Sequence, residues 1–197
     1  MRKNLPAKAQ ELLELQRRAD SLLEAENFEE AIDLLREVRD GARKEGWGTA
    51  TPAYLLSFVY FRQDRLEDAF HLLLESLSQD PLNPQFHAAH QTLMQRMREV
   101  IEAKDLPPDD PRIPRYHAIL AREGEATVET HLAMVRHLTA TEKLDEARKL
   151  ADALTVLHPE HPEVWRLHIA LGGRERVESE APELPAFVLS PPRVAKA

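Results

Sequence analysis

Apolar residues recur every three to four positions along most of the chain, which is the period of an amphipathic α-helix. In the stretch RLEDAFHLLLESLSQDPLNP, residues 65–84, this period ends before Pro81 and a new one begins at Pro84. Proline cannot donate a backbone hydrogen bond, so it ends one helix and suits the first turn of the next. Because alternation of the strand type is nearly absent, the pattern predicts an all-α fold.

The same period predicts helices on both sides of this stretch. One runs over 7–25, a second starts at Phe28, a third follows Pro52, a fourth occupies the stretch itself and a fifth runs over 84–103. Three more are predicted in TVETHLAMVRHLTA, EKLDEARKLADALTVLH and HPEVWRLHIAL, after the short segment RYHAILARE. Each helix carries its apolar residues on one face, so each needs a neighbouring element to cover that face.

Two segments interrupt the helical pattern. The run KDLPPDDPRIPRY places four prolines within eight residues, which predicts an extended loop over 105–114. Two glycines follow the last predicted helix, and residues 172–197 are rich in proline and charge, so they are predicted to form a flexible tail. The apolar residues of this tail cluster at Leu184, Phe187, Val188 and Leu189.

Composition narrows the classes of partner. The chain has 197 residues and a formal net charge of −8. A general nucleic-acid binder needs clustered Lys and Arg to neutralise phosphates, so this balance argues against nucleic acid as a partner. No run approaches the ~20 apolar residues of a membrane span, and the N-terminus lacks the apolar region of a secretion signal. We therefore expect a cytoplasmic protein that does not insert into a membrane.

Residues that could carry chemistry are scattered. The chain has 0 cysteines, which excludes a disulfide framework, a thiolate zinc site and a cysteine nucleophile. Its 9 histidines include His87 and His90 on one predicted helix, and His158 and His161 around Pro159, but no His-Glu-x-x-His spacing. The stretch GARKEGWG lacks the Gly-Lys-Ser/Thr order of a phosphate loop. We therefore expect no enzymatic activity, no bound metal and no cofactor.

Three related stretches, NFEEA, RLEDA and KLDEA, lie near the start of a helix and end in Ala31, Ala69 and Ala147. A small residue here, with a proline closing the helix, resembles the tetratricopeptide repeat, a helix-turn-helix unit of ~34 residues. Pro81 and Pro159 stand at the closing position, and Trp165 stands at the aromatic position that opens the next unit. The resemblance covers about residues 7–171.

The resemblance implies an all-α fold, a right-handed superhelix of antiparallel helix pairs with about three to four units. It divides the chain into N-terminal repeats over 1–104, the proline-rich loop over 105–114, a C-terminal repeat with a capping helix over 115–171, and the tail over 172–197.

The sequence also departs from the family pattern. Arg43 stands where the first unit should close with proline, and the spacing between the three alanines is irregular. The first-helix position that the family usually fills with glycine holds Ala19, Ser57 and Val135.

In this family the first helix of each unit lines a concave groove that binds extended peptides or partner helices. The resemblance places Tyr54, Phe58 and Phe61 on this face in the second unit. Arg96 and Arg136 occupy the corresponding face in later units, so an apolar peptide with some acidic character is the expected ligand. The alternative is that the three aromatic residues are core residues covered by a neighbouring helix.

Some family members hold the C-terminal carboxylate of a chaperone with Lys, Asn and Arg at fixed groove positions. This chain has Gln16 and Asp20 where a Lys and an Asn would be needed, and Leu55 and Ala89 at further positions. A carboxylate would meet Asp20 rather than a cation. The resemblance therefore implies another kind of ligand.

Several functions remain open. We expect a protein-interaction scaffold or adaptor that binds a peptide or helix; the alternative is a dedicated chaperone for a secretion-type or pilus-type client. A second alternative is a regulatory module that its own tail autoinhibits by folding back onto the groove. The tail cluster could instead bind another protein or have no role. Homodimerisation through Trp165, Ile169 and Leu171 is a further alternative.

Overall fold

The structure is a computed structural model that describes residues 6–103 and 105–173. Within these residues the chain forms nine α-helices and no strand, so the predicted all-α fold is confirmed. The helices are α1 (Ala7–Glu24), α2 (Phe28–Lys44), α3 (Ala50–Arg62), α4 (Leu66–Gln79), α5 (Pro84–Glu102), α6 (Arg112–Glu123), α7 (Val128–Ala140), α8 (Leu144–Leu157) and α9 (Pro162–Ala170).

The contacts divide the chain into two compact units, Met1–Leu93 and Met94–Ala197, and the division falls within α5. In the first unit, α1 pairs with α2, α3 pairs with α4, and α2 packs on α3. In the second unit, α7 pairs with α8, while α6 packs on α7 and α9 packs on α8. Each unit is thus built from helix pairs that cover one another's apolar faces.

The turns inside the three pairs share one backbone conformation. Glu26, Asp64 and Glu142 each have a positive φ, of 56°, 58° and 62°. Each stands five positions before the alanine of its related stretch, and the next residue donates a backbone hydrogen bond across the turn, as Lys143 N does to Leu138 O at 2.8 Å. This left-handed residue ends the first helix and reverses the chain, so the repeated sequence corresponds to a repeated turn.

The small residues of the repeats lie where the helices pack. Ala31 and Ala147 have an exposed fraction of 0%, and Ala69 has 1%. The position that the family usually fills with glycine is also buried, at Ala19, Ser57 and Val135. A buried small side chain lets two helices approach closely, which gives these sequence positions a physical reason.

The core of the second unit is a cluster on α7, α8 and α9. Leu132, Val135, Leu138, Ala147, Leu150, Ala151, Leu154 and Val164 are all buried in it. The Trp165 indole nitrogen donates a hydrogen bond to the Pro159 carbonyl oxygen at 2.8 Å. The closing proline and the opening aromatic residue of the repeat are therefore in direct contact.

Helix α6 begins at Arg112, inside the loop that the sequence predicts over 105–114. The Asp110 carboxylate accepts a hydrogen bond from Arg112 N at 2.8 Å, and Ile113 N donates to Asp110 O at 3.1 Å. Pro111 and Pro114 are tolerated because the first amide groups of a helix have no partner within the helix. The proline run therefore includes the start of a helix.

A cluster of polar groups joins α2 to α4 in the first unit. Arg39 Nη2 and Glu75 Oε2 are 2.7 Å apart, and Arg43 Nη2 and Glu75 Oε1 are 3.1 Å apart. The Thr49 hydroxyl donates to Glu75 Oε1 at 2.6 Å. Burial raises the pKa of Glu75, but the hydrogen bonds from Arg39 and Thr49 outweigh it and hold that pKa below its usual 4.5. Arg43, which replaces the expected proline, thus has a structural partner.

Changing Glu75 to glutamine is expected to lower the free energy of unfolding of the first unit by about 1–2 kcal/mol, because Arg39 loses its charged acceptor. The effect stays below that of a fully buried pair because the Arg39 and Glu75 side chains are 23% and 19% exposed. Urea denaturation at pH 7 measures it. A matched control is Glu14→Gln, whose pair with Arg17 is 66% and 78% exposed and should leave the midpoint unchanged.

The stabilisation that the Glu75 carboxylate contributes should depend on pH. A depressed carboxyl pKa means that the stabilisation is present above about pH 4.5 and is lost as the pH falls below it. The difference between the wild type and Glu75→Gln should therefore shrink in acid. A difference that is constant from pH 7 to pH 3 would contradict the ionic origin.

Candidate functional site

The first unit contains an open groove with a volume of about 570 Å³. Helices α3 and α5 form its walls, and Ala69 and Leu73 of α4 form part of its floor. Its lining residues are Tyr54, Ser57, Phe58, Phe61, Ala69, Leu73, Gln85, Ala88, Ala89, Thr92 and Leu93. None of these described lining residues carries a formal charge, so the groove is suited to an apolar ligand.

The structure places Tyr54, Phe58 and Phe61 together in this groove, as expected from their spacing on one helical face. The Phe58 side chain is 40% exposed, while Tyr54 and Phe61 are half-buried. The Tyr54 ring packs on Phe86, with the ring centroids 5.0 Å apart. Phe58 is therefore an exposed aromatic residue in a wall whose other members are partly supported by packing.

Ser57 and Arg62 fix the conformation of this wall. The Ser57 hydroxyl is buried and donates to Tyr54 O at 2.6 Å. The Arg62 guanidinium lies over the rings of Phe28 and Phe58, at 5.8 and 6.0 Å from their centroids. Such cation–π contacts hold an aromatic ring in place without covering its other face. Arg62 Nη2 is also 3.3 Å from Glu26 Oε1, so its charge has a partner.

The second wall of the groove lies on α5, where the resemblance places Thr92 and Arg96 on the groove face; Thr92 is among the lining residues and Arg96 is not. Gln85, Ala88, Ala89 and Thr92 of α5 supply it. The small side chains of Ala88 and Ala89 leave room opposite the aromatic wall. The available signal was the run of small residues on one face of a helix, but exposed alanines are also common on solvent faces.

The two predicted arginines belong to the second unit. Arg96 Nη1 is 3.8 Å from Glu99 Oε2, and Arg136 Nη2 is 3.2 Å from Glu163 Oε1. Arg136 lines another cavity, of about 340 Å³, with Ile101, Leu106 and other residues of this unit. A role of these arginines in partner binding stays a prediction. The predicted tail motif, Leu184, Phe187, Val188 and Leu189, lies outside the described residues.

The position implied for a carboxylate clamp carries the wrong charge. Asp20 is half-buried on α1, and burial, followed by the Glu24 carboxylate, raises the pKa of Asp20. A raised pKa means that the site disfavours negative charge at this carboxyl, but it supplies no cation for a second carboxylate. The geometry thus gives no support to a carboxylate ligand at this position.

Across 6–103 and 105–173 there is no group of three or more His, Cys, Asp or Glu side chains that could hold a metal ion. In the same part of the chain, no helix combines the length and the apolar character needed to cross a membrane.

Comparison with known families matches residues 128–171 to the tetratricopeptide repeat. The matched segment contains α7, α8 and α9, including Ala147, Pro159 and Trp165. No curated protein and no solved structure matches the chain. Tetratricopeptide repeats generally mediate interactions between proteins, and their fold is typically a non-enzymatic scaffold. This match supports a tetratricopeptide repeat in the segment that holds α7, α8 and α9.

Proposed function

We propose that this protein is an interaction scaffold or adaptor that binds a peptide or a helix of a partner protein in the groove between α3 and α5. The observation that carries the proposal is the exposed Phe58 ring within an uncharged groove of about 570 Å³. Large exposed apolar side chains in a concave surface mark binding sites more often than isolated ones do.

The energetics of the aromatic wall favour a protein ligand. An aromatic ring contributes a large apolar area and loses little conformational entropy on binding, because it has only two side-chain torsions. Tyr54 and Phe58 are already held by Phe86 and Arg62. A partner would therefore meet an ordered surface, and less of the binding energy would be lost in ordering these side chains.

The chemistry of the groove defines the anchor of the partner. Because its described lining is uncharged, a charged anchor side chain would lose hydration there without gaining an opposite charge. Aliphatic or aromatic anchors lose no such hydration. The ligand is thus a segment that presents apolar side chains to the groove and keeps its charged groups outside it.

The Phe58→Asp variant is expected to weaken binding of the partner about tenfold or more, because the new carboxylate occupies the apolar wall. Phe58 is exposed, so the fold should persist, which circular dichroism checks. The partner is isolated with the tagged wild-type protein and identified by mass spectrometry. Its dissociation constant is then measured for both proteins with the purified partner.

A matched control is Leu82→Asp, which also places a carboxylate at an exposed apolar position. Leu82 is 87% exposed in the turn before α5 and does not line the groove. This variant should bind like the wild type. Equal weakening by both substitutions would show a general effect of charge, and unchanged binding by folded Phe58→Asp would exclude the groove as the site.

A further inference from the structure

Two buried histidines face each other between α6 and α7. His117 Nε2 and His131 Nδ1 are 2.8 Å apart, and the ring centroids are 4.9 Å apart with the planes at 67°. The side chains are 4% and 8% exposed. Their neighbours on the two helices include Ile113, Leu120 and Leu132, which are buried as well.

This hydrogen bond depends on the protonation state. A neutral imidazole has one nitrogen that donates and one that accepts, so one ring donates and the other accepts between His117 Nε2 and His131 Nδ1. A first added proton places a charge in an apolar site. A second proton puts a hydrogen on both facing nitrogens, so neither can accept, and the two cations repel each other.

Burial and neighbouring histidines both disfavour a positive charge on this pair. Burial, followed by the charge of His131, lowers the pKa of His117 from 6.5 to about 4. Burial, followed by the charge of His158 at the end of α8, lowers the pKa of His131. Besides burial, the charges of other histidines thus lower both pKa values. The Glu129 carboxylate, also on α7, lies 3.8 Å from His161 Nε2.

We propose that the pair of His117 and His131 is an acid-sensitive latch that holds α6 on α7 and loosens this contact when the pH falls. The two rings lie on the two helices that must separate, and α6 packs on α7 in the second unit. Opening exposes both rings to water, where they accept protons freely. Acid therefore favours the opened state, independently of the groove in the first unit.

The direction and window follow from linkage between protonation and opening. The pKa of His117 is about 4 in the closed state and 6.5 when the ring is exposed to water. Between these two pH values the closed state therefore binds fewer protons than the opened state. The stabilisation is complete above pH 6.5 and is lost as the pH falls towards 4. From His117 alone, the opening equilibrium constant is expected to rise about 20-fold between pH 7 and pH 5.

Hydrogen exchange of the full chain measures this opening. After correction for the intrinsic pH dependence of exchange, the amide protection of α6 should fall about 20-fold from pH 7 to pH 5. In His117→Gln the side chain no longer titrates, while its amide can still donate to His131 Nδ1. Between pH 7 and pH 5, the fall in α6 protection in this variant should therefore lack the factor of about 20 that His117 contributes in the wild type.

The control is His71→Gln on α4, which removes an exposed histidine of the first unit and should retain the wild-type pH dependence of α6. Equal loss of protection in His117→Gln and the wild type would overturn the proposal. If His117→Gln fails to fold, an NMR titration of the wild-type imidazoles tests the proposal instead, by measuring the pH at which His117 becomes protonated. His117 must then stay neutral until about pH 4, and titration near 6.5 would overturn the proposal.

Discussion

Replacing Phe70 by alanine is expected to lower the free energy of unfolding of the first unit by about 3–5 kcal/mol. Phe70 lies on α4 with an exposed fraction of 0%. Its ring is 6.0 Å from that of His90 on α5 and 5.8 Å from that of His71, measured between centroids. Alanine would remove the buried ring and leave a cavity that close-packed neighbours fill only in part.

The measurement is urea denaturation followed by circular dichroism, with hydrogen exchange of α4 to assign the loss to the first unit. Phe58→Ala is the matched control, because it removes the same ring from a position that is 40% exposed. We expect a loss of about 1 kcal/mol or less there. Equal losses at the two positions would contradict the assignment of Phe70 to the core and Phe58 to the surface.

Replacing Ala147 by leucine is expected to lower the stability of the second unit by about 3 kcal/mol, at the upper end of the range for overpacking. Ala147 has an exposed fraction of 0% and belongs to the cluster formed by α7, α8 and α9. Because Ala147 is fully covered by these side chains, the added atoms would press against them and push α8 away from its neighbours. The substitution also tests the small position of the repeat directly.

Ala118→Leu is the matched control. Ala118 is an exposed residue inside α6, and leucine is a good helix former, so the change should alter stability by less than about 0.5 kcal/mol. Thermal and urea unfolding of both variants give the comparison. A folded Ala147→Leu protein with wild-type stability would mean that the helices around this position do not pack closely.

The positions of the helices could be predicted because their signal is local. The expected bounds 7–25 and 84–103 compare with Ala7–Glu24 and Pro84–Glu102. Apolar residues spaced by three and four lie on one face whatever they pack against, and prolines end a helix through their own geometry. The small residues at Ala31, Ala69 and Ala147 were likewise identified from the repeated stretches around them.

The start of α6 and the repeated turns could not be predicted in the same way. The start of α6 depends on the hydrogen bond that Asp110 accepts from Arg112 N, which a count of prolines does not reveal. The left-handed turn residues are Glu26, Asp64 and Glu142, none of which is the glycine that usually marks this conformation. Their equivalence is visible only in the backbone.

The candidate site was also predicted only in part from the sequence. The spacing of Tyr54, Phe58 and Phe61 placed them on one face of α3, but the degree of exposure depends on which side chains α5 brings opposite them. Ala88 and Ala89 on α5 are small enough to leave the groove open. The pair of His117 and His131 gave no sequence signal, because the two residues lie on different helices with no recognised spacing.

The sequence by itself determined the all-α class, the positions of the helices other than α6, and the small residues of the repeat, because helical period, proline geometry and side-chain volume are properties of neighbouring residues. Only the tertiary structure decided that Phe58 is exposed, that Arg43 and Arg39 share Glu75, and that two histidines are buried against each other. Burial and pairing depend on residues that are distant along the chain, and a local pattern does not specify which of them meet.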